Sequence, residues 1–345
     1  MMTKDLLLDK DVTELQEFVK ATGQPVYRAQ QLLDWLYRKH ATTFEDLTNL
    51  PKAWREQLQQ MTALSPFRSY SVQVSVDQTR KYLFELHDGQ YIESVCIPMK
   101  EHFTLCISTQ VGCALRCAFC LTGQQGFTRN LTAGEIVGQI LAVQRDHTED
   151  LRISNIVLMG MGEPLLNYDN TVKAIRLMLA EEGLNFSNRK ITLSTAGVVP
   201  GILKLGQEEF TINLAVSLSA PTEELRSQLM PINKTYPLAQ LLHACRNYPL
   251  PERRRLTFEY IMLDRMNDDP LQAHTLAALL RGIRCKINLI PLNPNTATSF
   301  RPACEERILA FQNILIEHGY SVFIRASKGA DISAACGQLR GQYLS

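Results

Sequence analysis

The chain is expected to fold as an α/β protein, a parallel sheet curled into a partial or full barrel behind a small helical module and a short β-hairpin. Three observations predict this. From about residue 104 onward, strand-like runs alternate with helical ones, which is how βα units around a parallel sheet read in sequence. Residues from about 11 to 61 carry apolar side chains three or four apart, a helical period. Between roughly 67 and 100 the period becomes that of strands, around an Asp-Gly pair.

The first helices are "DVTELQEFVKATG", "YRAQQLLDWLYRKH" and "PKAWREQLQQM", with Gly23 and Pro51 at the breaks. Next, "RKYLFELHDGQYIESVCIP" places two β-type runs around His87-Asp88-Gly89, a hairpin signal. The strands of the core are then "TLCISTQ", "ISNIVLMG", "KITLST", "TINLAVSLS", "LTFEYIML", "CKINLIP" and "YSVFIRAS", separated by stretches such as "TAGEIVGQILAVQRD" and "PLQAHTLAALLRG". Thr132 with Glu135 three residues on is a capping box that opens the first core helix. Three segments follow from this pass: a helical domain over 1–65, a β-hairpin linker region over 66–100 and a core over 101–345.

At 345 residues and 45% hydrophobic content the chain is long enough for a large buried core. A net charge of +1 gives no global signal for nucleic acid. The stretch "MMTKDLLLDKDVTEL" mixes acids and lysines and has no signal-peptide core, and no apolar run reaches the ~18 to 20 residues of a membrane span. A cytoplasmic protein with no membrane partner is expected, where the nine cysteines are more often metal-binding, catalytic or buried than paired.

Three of those cysteines, Cys113, Cys117 and Cys120, lie in "CALRCAFC", in a loop that follows a strand and precedes a helix. Such loops gather at the C-terminal edge of a parallel sheet, where active sites form. Structural zinc wants four protein ligands, and the nearest spare thiol, Cys106, sits upstream in a strand. A c-type haem site needs His after CxxC, and Leu121 stands there. A 4Fe–4S cluster with three thiolates keeps one iron for a non-protein ligand. CxxxCxxC resembles the signature of radical S-adenosylmethionine (SAM) enzymes, in which the open iron chelates SAM and an electron through the cluster yields the 5'-deoxyadenosyl radical.

The resemblance then widens. "LCISTQVGCALRCAFCLTGQQGFTRNLTAGEIVGQ", "VLMGMGEPLLN", "ITLSTAGVVP", "LMPINKTYP", "CKINLIPLNP" and "DISAACGQLRG", with "YRAQQLLDWLY" and "FEDLTNLPKAWREQL" upstream, resemble the RlmN family of radical SAM RNA methyltransferases, sister to the Cfr enzymes. This implies a partial (βα)6 radical SAM barrel, an RNA-binding role for the N-terminal helical domain, and methylation of adenosine C2 in 23S ribosomal RNA and, in dual-specificity members, tRNA. It implies a three-cysteine 4Fe–4S cluster, two SAM per turnover, an electron donor such as a flavodoxin-type protein, and no stable protein partner.

Residue by residue, the resemblance implies SAM contacts at Gly162, Glu163, Ser194, Ser217, Leu218, Ser219 and Asn293. Read alone, these are a tight turn, strand-end hydroxyls and a turn amide. Ser219 departs from the family's "SLHAP" by replacing His with a shorter group that does not titrate near neutrality. Cys336, by itself a buried small hydrophobe, is implied to carry a methyl group. Glu93, by itself a solvated edge carboxylate, is implied to be the base, and Cys106 the thiol that resolves a protein–RNA adduct by forming a disulfide with Cys336. Cys96, Cys245, Cys285 and Cys304 are expected to be packing residues. Arg253 to Arg255, Arg38, Lys39, Lys52 and Arg55 are candidate phosphate contacts. The alternatives are a Cfr-type C8 methyltransferase, a catalytically impaired iron–sulfur RNA-binding paralogue kept open by Ser219, and a zinc-stabilised module.

Overall fold

Ten strands lie side by side in the order in which they occur in the sequence, in a computed structural model that describes residues 4–146, 153–294 and 298–341. They are β1 (Phe67–Val74), β2 (Arg80–Leu86), β3 (Tyr91–Pro98), β4 (Phe103–Cys106), β5 (Ile153–Leu158), β6 (Ile191–Thr195), β7 (Asn213–Ser217), β8 (Leu256–Met262), β9 (Cys285–Pro291) and β10 (Ser321–Ile324). From β4 to β10 every pairing is parallel, and β1 to β4 pair antiparallel. A parallel sheet wound in unbroken sequence order lacks the reversal of a doubly wound fold, so its winding is that of a barrel. The sheet ends at β10 on one side and β1 on the other, which keeps the barrel partial.

The region expected as a hairpin linker holds three strands. The Asp-Gly turn behaves as expected: Leu86 donates to the Gln90 carbonyl at 2.8 Å and Gly89 takes φ +81°. The additional strand, β1, pairs with β2 from Phe67 to Val74. Its alternation was not legible because its side chains are mostly exposed, so no apolar face marks it.

Three helices open the chain, α1 (Val12–Ala21), α2 (Tyr27–Leu33) and α3 (Lys52–Met61). Asp11 and Glu14 cap α1 reciprocally at 2.8 and 2.9 Å, and α3 begins directly after Pro51. The module shares its core with the barrel: Leu7, Leu8, Leu15, Leu32, Leu33, Trp54 and Leu58 belong to the same apolar cluster as Ile136, Ile140 and Leu193. Glycine makes this contact close, since a Cβ on Gly134 would stand 2.7 to 2.8 Å from Leu6, Leu8 and Asp9.

Along the core, α4 (Leu121–Gln125), α5 (Ala133–Asp146), α6 (Tyr168–Leu179), α7 (Val199–Leu205), α8 (Glu223–Leu229), α9 (Leu238–Arg246), α10 (Pro270–Leu279) and α11 (Glu305–Glu317) connect the strands. The capping box at α5 forms, with Glu135 N donating to Thr132 Oγ1 at 3.2 Å and Thr132 N to Glu135 at 2.9 Å. Arg129 grips the same carboxylate with two bonds of 2.8 Å. Among the described residues no helix is long and apolar enough to cross a membrane.

Candidate active site

The cysteine loop begins where β4 ends and is shaped by a turn that only glycine fits. Gly112 has φ +74°, and a Cβ there would lie 1.9 Å from the Gly126 carbonyl oxygen. Cys113 N then donates to Gly126 at 2.8 Å, and Ala118 N to the Leu229 carbonyl at 2.9 Å, which ties the loop to the end of α8. Burial pushes the Cys113 thiol up to about 12 and raises Cys117 and Cys120 as well. The three thiols interact electrostatically but do not converge on one point: among the described residues no three His, Cys, Asp or Glu side chains are placed to hold a single metal ion. A cubane spreads its thiolates over separate irons, so this triplet suits a cluster better than one tetrahedral zinc. Metal binding would release the thiol protons that burial retains.

Beside the loop, β5 runs into Gly160-Met161-Gly162-Glu163. Gly162 takes φ +103°, and a Cβ on it would approach Gln110 to 2.6 Å. Gln110 accepts from Glu163 N at 2.8 Å and so holds the turn. The Glu163 carboxylate is buried and accepts from Leu165 N at 3.1 Å and Ala196 N at 2.7 Å. Burial outweighs those two bonds and pushes its carboxyl up to about 7.

Ser194 and Ser217 sit at the C-terminal ends of β6 and β7, both half-buried. Leu218 is wholly buried in the main core, its N donating to the Glu259 carbonyl at 2.9 Å and its carbonyl accepting from Ala220 N at 2.8 Å. Ser219 is buried with φ +57°, and its carbonyl accepts from Asn267 at 2.8 Å. Ser217 is in register with Glu259 on β8, and Glu259 with Asn288 on β9, which donates to its carboxylate at 2.8 Å.

A strap after β10 brings in the distant candidates. Asn293 donates to the Cys336 carbonyl at 3.2 Å and accepts from Ser327, so its amide is engaged with the strap. Leu121 N donates to Gly337 at 2.9 Å, and Thr122 Oγ1 to Leu339 at 2.8 Å. Cys336 thereby lies close enough to Cys106 and to Cys120 for their charges to interact. The residue is exposed to solvent, yet the surrounding protein desolvates its sulfur and raises its pKa. Cys106 is buried at the end of β4, and its thiol is raised further. The disulfide implied by resemblance is not formed. Both are free thiols.

Glu93 on β3 is 2% exposed and forms an ion pair with Lys81 at 3.2 Å. It is therefore no solvated edge carboxylate. Its other oxygen accepts from Arg340 N at 2.6 Å and Gly341 N at 3.0 Å, so it too touches the strap.

The chain is similar along its length to known proteins. Residues 107–277 match the model of the radical SAM superfamily, and residues 6–64 that of the ribosomal RNA large subunit methyltransferase N-terminal domain. It is 51% identical over 99% of its length to the dual-specificity RNA methyltransferase RlmN of Syntrophus aciditrophicus, covering 98% of that protein. The chain belongs to the RlmN family of radical SAM methyltransferases. The Geobacter sulfurreducens RlmN is 50% identical over 96% of the chain and 91% of that protein. A crystal structure of a radical SAM methyltransferase from Sphaerobacter thermophilus superimposes with a TM-score of 0.94 at 46% identity, over 98% of this chain and all of that one. As an RlmN-family enzyme it works with SAM and a 4Fe–4S cluster held by three cysteines.

Several residues of this region escaped the sequence reading. Arg226 on α8 is wholly buried and binds Asn233 at 2.9 Å, the Ala196 carbonyl at 2.6 Å and the Ser217 carbonyl at 3.3 Å, tying the ends of β6 and β7 together. Burial lowers its pKa to about 10. Glu259 is half-buried and its carboxyl is raised by burial against the Asn288 bond. Its place in "LTFEYIM", flanked by apolar residues, was the one signal available. Among the other cysteines, Cys96, Cys245 and Cys285 pack in the core as expected, whereas Cys304 is exposed at the N-cap of α11. The cap position needs non-helical backbone at the surface, which takes that side chain out of the interior. The candidate phosphate contacts do not form one patch of uncommitted charge: Arg254 binds Thr211 and Asn188, each at 2.7 Å, Arg255 binds Ser321 at 2.9 Å, and Lys39 pairs with Asp34 at 2.9 Å.

Proposed function

We propose that this enzyme methylates C2 of an adenosine in 23S ribosomal RNA, and an adenosine of tRNA, with Cys336 as the methyl carrier. The observation that supports this best is the seat of Cys336, within charge range of both Cys106 and the cysteine loop while open to solvent. Cys113, Cys117 and Cys120 hold the cluster in this reading, and Gly162, Glu163, Ser194, Ser217, the Leu218 backbone, Ser219 and Asn293 surround SAM. When bound, SAM and the cluster supply a methyl group and a carbon-centred radical.

The chain's own residues do the rest. Cys336 sulfur takes the methyl group, and after loss of one hydrogen atom its methylene carbon bonds to the ring, the one unpaired electron this leaves on the adduct passing to the electron-transfer route that a bound cluster would supply. Glu93, held beside the strap, takes the ring proton. Cys106 attacks the Cys336 sulfur, so the carbon–sulfur bond breaks with its electron pair left on the methylene carbon, which takes a proton to become the methyl group; a transient disulfide forms, methylated RNA leaves, and two electrons from a thiol reductant restore both thiols. A flavodoxin-type donor fits the electron supply, a cytoplasmic location fits the RNA and the reductant, and residues 1–65 serve as the RNA-binding accessory domain.

Nucleoside mass spectrometry of 23S ribosomal RNA and tRNA after anaerobic incubation with reconstituted enzyme, SAM and reductant tests this. We expect 2-methyladenosine; 8-methyladenosine would place the enzyme on the Cfr side, and neither product would refute the substrate. Glu163 adds a pH dependence. Its raised pKa means that the carboxylate, the form that accepts from the SAM amino group, appears as pH rises through about 7. SAM affinity is therefore expected to fall below pH 7, by up to about tenfold per unit. Titration calorimetry between pH 6 and 8 should show Glu163→Gln binding more weakly at pH 8 with a smaller rise; an unchanged profile would remove Glu163 from the SAM site.

A further inference from the structure

The Cys336 strap is fixed at two ends, and the two fixings differ in chemistry. Its outer end lies on the β1–β2 turn: Asp331 accepts from Ser75 Oγ at 2.5 Å and Val76 N at 3.2 Å, while Asp77 accepts from Gly329 N at 3.2 Å and pairs with Lys328 at 3.8 Å. Hydrogen bonding from Ser75 holds Asp331 below its ordinary range, so the outer anchor stays ionised. At its inner end Glu93 accepts from Arg340 N at 2.6 Å and Gly341 N at 3.0 Å, with Lys81 at 3.2 Å balancing the charge, while Thr122 and Gln125 donate to the Leu339 and Arg340 carbonyls.

Both members of that ion pair are buried, which makes the arrangement sensitive to charge. A buried carboxylate without its cation is costly, and a neutral acid accepts weaker hydrogen bonds than an anion. Gly341 is built for the contact: at φ +60°, a Cβ would sit 2.6 Å from the Tyr91 carbonyl oxygen and 2.9 Å from Met161 Cε. No bulkier residue brings that amide to Glu93 without moving backbone.

We propose that Glu93 and Lys81 form a latch that closes the carrier strap over the site and that opens when Glu93 receives the ring proton. This rests on the reading of Glu93 as the base. The C2–H bond breaks, its electron pair stays with the ring and an O–H bond forms on Glu93. Lys81 loses its anionic partner, and the Arg340 and Gly341 amides lose the charge that held them. The inner end of the strap loosens as the methylated base has to leave, while the outer anchor keeps Cys336 in place for the next cycle. Lys81 is a positioning residue: its ion pair holds the Glu93 carboxylate against the strap amides and the strap closed until that moment.

Amide hydrogen exchange of the full-length, cluster-reconstituted enzyme tests this, read by mass spectrometry on peptides covering 335–341 and, as an internal control, 328–334. Lys81→Met, Gly341→Ala and Glu93→Gln, the last an isostere of the protonated acid, should each speed exchange over 335–341 by about tenfold, the loss expected when a charge-assisted bond is weakened. Exchange over 328–334 should not change, and Lys81→Arg should return 335–341 close to the parent rate. Parent-like exchange over 335–341 in either Lys81→Met or Gly341→Ala, or Lys81→Arg behaving as Lys81→Met, overturns the latch. Parent-like exchange in Glu93→Gln overturns its opening by a proton. The base reading fails separately, if Glu93→Gln methylates RNA at the parent rate, whatever its exchange shows.

Discussion

Cys336→Ala should abolish methyl transfer to RNA, by more than about 10³-fold, while 5'-deoxyadenosine is still produced from SAM. The variant removes the sulfur proposed to carry the methyl group but leaves the cysteine loop, Glu163 and the ends of β6 and β7 untouched. Bonds to the strap's own carbonyls hold it at this position, Cys336 accepting from the Asn293 side-chain amide and Gly337 from Leu121 N, and alanine keeps both. Loss of product therefore reports chemistry and not misfolding. Two assays on one preparation decide it, labelled methyl in RNA and 5'-deoxyadenosine by chromatography. RNA methylated at even a few per cent of the parent rate would mean that the methyl group travels without this thiol.

For Cys106→Ala the expected result is a covalent protein–RNA species instead of free methylated RNA. Cys106 lies at the end of β4, where its thiol interacts with that of Cys336, and no other cysteine outside the loop triplet shows that interaction among the described residues. Without it the carbon–sulfur bond to the base has no attacking partner. Burial raises the Cys106 thiol, so in the parent enzyme its attack should quicken as pH rises through the alkaline range. A denaturing gel with labelled RNA should show the adduct accumulating to about one per enzyme. Free unmodified RNA with no shifted band would remove Cys106 from the resolving role.

The N-terminal helices, the βα alternation and the cysteine triplet were legible because each rests on local regularities. Leu218 and Ser219 were harder. The motif placed both at a strand end, but core packing turned one side chain inward and a left-handed backbone at φ +57° shaped the other. Histidine, the residue that the resemblance implies there, also tolerates that conformation, so Ser219 changes the reach and chemistry of the group more than the turn. Glu93 looked like a solvated edge residue because alternation in β3 does not reveal a neighbouring sheet edge covered by a strap.

What the sequence by itself determined is the set of parts: strand and helix periods, the Asp-Gly turn, glycine at Gly112 and Gly162, and three thiols at a spacing suited to a cluster. These depend on interactions between residues a few positions apart, and such interactions leave a pattern in the string. What only the tertiary structure decided is their company: Cys336 beside Cys106, Asn293 bonded to the strap, Arg226 tying two strand ends, and Lys81 and Glu93 buried together beneath Arg340 and Gly341. Those contacts are made by winding the sheet and folding the C-terminal segment back across its edge, joining residues far apart in sequence through single hydrogen bonds and ion pairs. A contact of that kind has no period and no local composition, so nothing near either residue announces it.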